Sequence, residues 1–231
     1  MVKIIAHRGF GKGPIENTLY AVREALRLGV NGIEIDVQGS SDGEIVVFHD
    51  FVVDAKTNGT GAVVELALEE LQKLKLSGGL QIPTLRELIE LVKGKSDVLV
   101  MIEIKPENIE EAVINLIQEA NIDNQVVISS YQPSVLRKIQ ELDAKAQTAL
   151  IFKSPLADSV QLAGSLGCSM IAPQSQLISQ ELVKKSRKVG LAVYPWAVNE
   201  IEDLQRMMDA GIETIITDEV RKMQQFLHSL S

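Results

Sequence analysis

Cysteine is almost absent from this chain: Cys168 is the only one in 231 residues, so no internal disulfide can form and nothing implies an oxidising compartment. Long apolar runs are missing as well. None approaches the roughly 18 residues that would span a bilayer. The apolar start Met1–Ala6 breaks at His7-Arg8, too short for the core of a signal peptide. There is no basic excess either. Lys and Arg number 23 against 31 Asp and Glu, a net charge of -8. That balance argues against a nucleic-acid binder, which needs a cationic patch to displace phosphate counterions. It also disfavours docking on anionic membranes, for which the chain offers no basic amphipathic helix. With 45% hydrophobic and 23% charged residues, the composition is that of a soluble globular protein with a sizeable core. The expectation is one domain over residues 1–231, cytoplasmic, with no nucleic-acid partner and no stable membrane association.

Short Ile- and Val-rich runs recur at Lys3–Ala6, Gly32–Val37, Val98–Lys105, Gln125–Ser130, Thr148–Phe152, Ser169–Ala172, Leu191–Trp196 and Thr214–Thr217. Most are near-continuous, as in parallel strands covered on both faces. Helical patterns separate them, at Asn17–Leu28, Thr84–Val92, Ile109–Ala120, Pro133–Leu142, Leu156–Leu166, Ser179–Val189, Glu200–Ala210 and Val220–Leu230. Thr84 and Glu87 form a capping-box pattern. Eight β-α units in slightly fewer than ~250 residues predict an α/β fold of the (β/α)8 TIM-barrel type. A doubly wound open sheet is the alternative, but its Gly-rich phosphate fingerprint is absent after the first strand.

One interval is too long for the simple repeat. About sixty residues separate the second strand from Val98. The interval begins Ser40-Ser41-Asp42-Gly43-Glu44, and Asp-Gly between strand-like runs signals a hairpin. Ile45–Phe48 should therefore fold back antiparallel and return His49 to the strand's upper end. The following 51–82 is a small insertion, rich in turn residues, with a short helix near Leu68–Leu74.

Barrel active sites are built at the C-terminal ends of the strands, and three strands carry charges there. The first ends His7-Arg8-Gly9. The second reads Ile33-Glu34-Ile35-Asp36-Val37, whose alternation sends Glu34 and Asp36 to one face. The third reads Ile102-Glu103-Ile104-Lys105, with the same alternation. A network of buried ion pairs, such as Glu34 with Lys105, is the plain structural explanation. Three carboxylates against one Lys and one Arg exceed it, because buried like charges are costly unless paired or bound to metal. Glu34, Asp36 and Glu103 make a hard, all-oxygen set suited to one divalent cation, Mg2+ or Ca2+, rather than zinc. His7 and His49 converge on the same strand ends and read as an acid/base pair. His228 lies in the polar tail and reads as a solvated surface residue.

Further motifs make a resemblance specific: Glu16-Asn17-Thr18, Ser41-Asp42-Gly43, His49-Asp50, Thr57-Asn58-Gly59-Thr60-Gly61, Pro83-Thr84-Leu85, Trp196-Ala197-Val198-Asn199 and Thr217-Asp218. Together with those above, and in this order, they resemble the glycerophosphodiester phosphodiesterase family over essentially the whole chain. The resemblance implies a metal-dependent TIM barrel with an insertion after the second strand. It implies His7 and His49 as general acid and base, and Glu34, Asp36 and Glu103 as holders of the cation. It places Arg8 and Lys105 on the phosphoryl oxygens, Glu16 beside metal and substrate, and Trp196 along the glycerol; Asn17 reads instead as the cap of the first helix. Ile15 between Pro14 and Glu16, Gly39 and Ala197 depart from the family pattern without removing a charged group. The implied reaction turns a small glycerophosphodiester into glycerol 3-phosphate and an alcohol such as choline or ethanolamine, through a cyclic phosphate. A phospholipase-type relative, a catalytically dead sensor and a metal-assisted isomerase or lyase are the competing readings. Nothing in the sequence sets the headgroup or the oligomeric state.

Overall fold

The computed structural model describes residues 2–10, 13, 15–154 and 158–230. In chain order the strands are β1 (Lys3–Ala6), β2 (Gly32–Gly39), β3 (Ile45–Val47), β4 (Leu99–Ile104), β5 (Val126–Ser130), β6 (Gln147–Phe152), β7 (Met170–Pro173), β8 (Ala192–Val193) and β9 (Thr214–Thr217). The helices are α1 (Leu19–Arg27), α2 (Leu68–Lys73), α3 (Leu85–Val92), α4 (Glu110–Ala120), α5 (Pro133–Leu142), α6 (Ser159–Ser165), α7 (Gln180–Lys188), α8 (Ile201–Asp209) and α9 (Val220–Ser229). All strands but β3 run parallel, in the order β8-β7-β6-β5-β4-β2-β1-β9. This is the (β/α)8 barrel expected from the strand count.

The expected strand over Leu191–Trp196 is shortened to β8. The ladder with β7 ends because Pro173, on β7, has no N–H to return to the Tyr194 carbonyl. The chain still follows β7, with Tyr194 N–H on the Ile171 carbonyl and Trp196 N–H on the Pro173 carbonyl. The same segment closes the barrel: Ile216 donates to the Pro195 carbonyl and Val198 to the Ile216 carbonyl, both at 2.9 Å. The helix expected from Leu156 is seen as α6; Leu156 itself lies outside the described residues.

Side-chain alternation divides each strand between two cores. Ile33, Ile35, Val37, Val100, Ile102 and Ile104 face outward, packed with buried helix residues such as Val22, Leu88 and Val113. Ile5, Met101, Val127, Ala149, Ile151, Met170, Ala172 and Ile216 fill the barrel interior. The inward positions one step further along β1, β2 and β4 are the charged ones, so the apolar plug forms the floor of the mouth.

The hairpin is present. β3 pairs antiparallel with β2, Val37 opposite Val47. Gly43 takes φ +85 in the turn, a backbone state that costs glycine nothing. Phe48 N–H donates to the Asp36 carbonyl at 3.0 Å and brings His49 alongside the end of β2. The insertion 51–82 has a separate core, in which Val53, Val63, Leu71, Leu76 and Ile82 pack on Val46 and Phe48 of the hairpin. Its anchor is thus the segment that delivers His49. Leu71 is fully buried there. Leu71→Ala should cost about 2–5 kcal/mol, the usual range for a buried Leu truncation, read as a lowered urea midpoint.

Candidate active site

The first βα loop is built around the Glu34 side chain and carbonyl. Arg8 N–H donates to Glu34 Oε2 at 2.9 Å, and Gly9 N–H donates to the Glu34 carbonyl at 2.9 Å. These bonds hold Arg8 at φ 53 and Gly9 at φ 85, the left-handed region that a non-glycine residue enters only under such constraint. A Cβ on Gly9 would also meet Val22 N and Ala21 Cβ at 3.1 Å, so glycine lets α1 close against this turn. Asn17 was expected to cap α1. The cap is instead Thr18, whose hydroxyl accepts from Ala21 N–H. Asn17, at φ 55, turns inward: its amide donates to Asp36 Oδ2 at 2.8 Å and its Oδ1 accepts Asp36 N–H at 3.1 Å. It aims a carboxylate rather than starting a helix.

The structure gathers the nine candidate site residues at the C-terminal end of the barrel, eight of them around its mouth and Glu16 beside it, reached through Arg8. Glu34, Asp36 and Glu103 are buried, and each offers a carboxylate oxygen within 4.8 Å of the others. Lys105 Nζ lies 2.8 Å from Glu103 Oε1 and 3.4 Å from Asp36 Oδ1. Arg8 Nη1 donates to Glu16 Oε1 at 2.8 Å, while its buried Nε finds no hydrogen-bond partner among the described residues and stops 3.6 Å from Asp36 Oδ2. Glu16 stands outside the carboxylate trio, shared between Arg8 and Lys56. Trp196 lines the mouth with Tyr131, their rings edge to face at 6.0 Å, and its indole N–H donates to the Ala172 carbonyl at 2.9 Å.

Each histidine is oriented by an aspartate. His7 Nδ1 and Asp218 Oδ1 are 2.6 Å apart, and His49 Nδ1 and Asp50 Oδ1 are 2.5 Å apart. A carboxylate accepts, so Nδ1 carries the hydrogen in both rings and Nε2 keeps its lone pair. Asp218 is itself held by Asn199, whose amide donates to Oδ2 at 2.7 Å and whose Oδ1 accepts Asp218 N–H at 2.9 Å. His7 Nε2 lies 3.8 Å from Glu34 Oε2.

Burial and crowding set the charges. Glu34 is pushed well above the usual carboxylate range, first by burial and then by Asp36 and Glu103. Glu103 is raised to about 7, by burial and Asp36 against the pull of Lys105. Burial acts on Asp36 too, but Lys105, Arg8 and His49 outweigh it and hold Asp36 below its ordinary value. His49 is lowered, by burial above all, against the upward pull of Asp36 and Asp50. Burial and the neighbouring carboxylates push the Tyr131 phenol up, so it stays a neutral donor. Protons on buried carboxylates mark a site short of positive charge. The donor chemistry therefore fits a hard divalent cation: oxygen ligands on opposite sides of an ion at about 2.0–2.6 Å lie about 4–5 Å apart.

The chain matches the glycerophosphoryl diester phosphodiesterase family over residues 7–222. A relative from Caldanaerobacter subterraneus subsp. tengcongensis, named glycerophosphodiester phosphodiesterase, is 39% identical over 94% of this chain and 93% of its own. The chain belongs to that family. Its enzyme class, a phosphodiesterase, stands with the membership. Among solved structures, one from Silicibacter pomeroyi superposes with a TM-score of 0.91 at 24% identity, covering 100% of this chain and 94% of its own. A phosphodiesterase from Oleispira antarctica, in complex with the product sn-glycerol-3-phosphate, does so with 0.87 at 24% identity, covering 98% and 96%. Both share the barrel. No helix among the described residues is long and apolar enough to cross a membrane.

Asp50, Asp218, Asn199, Lys56 and Tyr131 were not assigned roles from the sequence. Asp218 had a signal: it follows β9 and so sits at a strand's C-terminal end, as His7, Asp36 and Glu103 do.

Proposed function

We propose that this protein hydrolyses small glycerophosphodiesters to glycerol 3-phosphate and an alcohol, by proton transfer through His7 and His49 beside a divalent cation held by Glu34, Asp36 and Glu103. One observation carries this reading: two aspartate-oriented imidazoles share a mouth with a three-carboxylate cluster, an Arg and a Lys. A sensor that only bound phosphate would need the cations but not two imidazoles with Nε2 lone pairs kept available.

The diester is an anion, so a nucleophile reaches phosphorus only once that charge is met. The unpartnered Arg8 Nε and the Lys105 ammonium are the protein's own donors for the phosphoryl oxygens. A divalent cation held by Glu34, Asp36 and Glu103 would supply further positive charge to the phosphoryl group. One imidazole Nε2 takes the proton from the glycerol 2-hydroxyl as its oxygen attacks phosphorus. The bond from phosphorus to the alcohol oxygen breaks, and the other imidazole, protonated, gives that oxygen its proton. A cyclic glycerol phosphate is left. Water then attacks phosphorus with the two roles reversed, the ring opens at the 2-oxygen, and glycerol 3-phosphate forms with the 2-hydroxyl restored. Asp218 and Asp50 hold each ring in the tautomer that both steps require. Tyr131 and Trp196 wall the side of the mouth assigned to the glycerol.

The test is to follow glycerophosphoglycerol and glycerophosphocholine by phosphorus NMR with Mg2+ or Ca2+ present. Glycerol 3-phosphate should accumulate, with a cyclic phosphate signal that rises and falls. No glycerol 3-phosphate from either diester would overturn the assignment.

A further inference from the structure

His49 separates two cavities. One is the mouth, bounded by His7, Arg8, Glu34, Glu103, Tyr131 and Trp196. The other lies between the first βα loop and the insertion, about 280 Å³, and is bordered by Glu16, Phe48, Ala55, Lys56, Leu76 and Ser77 as well as by His49. A glycerophosphodiester has two arms on one phosphorus. With phosphate at Arg8 and Lys105 and glycerol along Tyr131 and Trp196, the second arm passes His49 into this cavity.

Lys56 decides what that arm meets. Its ammonium donates to Glu16 Oε1, lies 3.2 Å from Asp50 Oδ2, and sits 5.9 Å from the centre of the Phe48 ring. The two acidic groups and the aromatic face that could hold a cationic headgroup therefore already have a cation. Glu16 has a second partner in Arg8, and Asp50 has one in His49. An arriving choline or ethanolamine finds its acceptors taken and a like charge in place, whereas a hydroxylated arm loses nothing by entering.

Resting on the function proposed above, we infer that Lys56 is a specificity residue that selects diesters whose second alcohol is uncharged and hydroxylated, such as a second glycerol, over those with an ammonium headgroup. Lys56 is a resident cation in the position a headgroup cation would occupy. It performs no chemistry. Its removal should open the cavity to cations, and any effect it has on His49 through Asp50 is common to both substrates and cancels from their ratio.

The experiment compares kcat/KM for glycerophosphoglycerol and glycerophosphocholine, measured on the same preparation so that the folded fraction cancels from the ratio. The wild type should favour glycerophosphoglycerol by about tenfold, and Lys56→Met should move the ratio about tenfold towards glycerophosphocholine, the scale of one cation–aromatic contact with charge repulsion removed. Lys56→Arg, which keeps the charge, should hold the wild-type ratio. Lys73→Met, on the exposed face of α2 and paired with Glu69, removes the same charge and should also hold it. A ratio unmoved by Lys56→Met, with both diesters hydrolysed, overturns this inference and leaves the function standing. Equal losses on both substrates overturn it as well, since they would place the common glycerol arm in this cavity. No turnover of either diester by the wild type overturns both proposals.

Discussion

His7→Ala and His49→Ala should each lower kcat by about 10²–10⁴-fold, the usual contribution of a positioned proton-transfer group. The two are expected to act as a pair, because each step makes one phosphorus–oxygen bond and breaks another, so one proton is removed and one delivered. The double variant should therefore fall little below the worse single one, as groups that act as a unit are strongly non-additive. Asp218→Asn tests the tautomer. It keeps the shape of the side chain but offers His7 Nδ1 a donor or a weaker acceptor, which favours the ring with its hydrogen on Nε2. A loss of about tenfold or more is expected, with KM little changed. His228→Ala, in the exposed last turn of α9, should change nothing measurable. Turnover at the wild-type rate in both His7→Ala and His49→Ala would remove the acid/base assignment.

The fold was legible because a parallel barrel repeats its signal. Each strand is short, apolar on both faces and separated from the next by a helix, so the count of eight needs no exact boundary. Capping chemistry was local enough to read at Thr84, whose hydroxyl accepts Glu87 N–H while Glu87 returns to Thr84 N–H. Where boundaries moved, a backbone property did it, as Pro173 did when it ended the ladder of the eighth strand after two residues.

The charged site residues were legible by contradiction. Glu34, Asp36 and Glu103 stand where a strand's apolar alternation predicts the barrel interior, and interior carboxylates need a reason. The residues that orient them were not legible. Asn17 precedes a helix, and at that place Asn reads as a cap; only the left-handed turn at Arg8 and Asn17 directs its amide to Asp36. Asp218 is 211 residues from the histidine that it holds. Lys56 lies in a turn-rich insertion whose docking onto the first βα loop has no periodic signature. Such contacts are made by loops, and loop geometry depends on a few backbone angles that composition does not report.

The metal-free protein should lose stability as pH rises from about 5 to 8, and Mg2+ or Ca2+ should restore it. Glu34 and Glu103 both hold protons in the folded state at pH values where the unfolded chain has released them, Glu103 up to about 7. Between the ordinary carboxylate range and those raised values, the folded state binds more protons than the unfolded, so stability falls with rising pH. Glu103 alone gives an effect on the order of 3 kcal/mol for a shift of this size. Asp36, Glu16 and Asp50 are shifted the other way, and their contribution is lost only as pH falls through the acidic range below about 4. The two effects therefore occupy separate windows. Cation binding requires the carboxylates ionised, so it should release protons and tighten as pH rises through 7. Calorimetry in buffers of different ionisation heat counts those protons directly, without reference to turnover. Glu34→Gln removes one of the crowded charges and one ligand; it should flatten the fall in Tm and abolish the gain on adding cation. Chelator should reduce hydrolysis to background in the wild type, and either divalent ion should restore it far better than Na+ or K+. Undiminished turnover in excess chelator, with a Tm at pH 8 indifferent to divalent cations, would leave Glu34, Asp36 and Glu103 as a purely structural cluster.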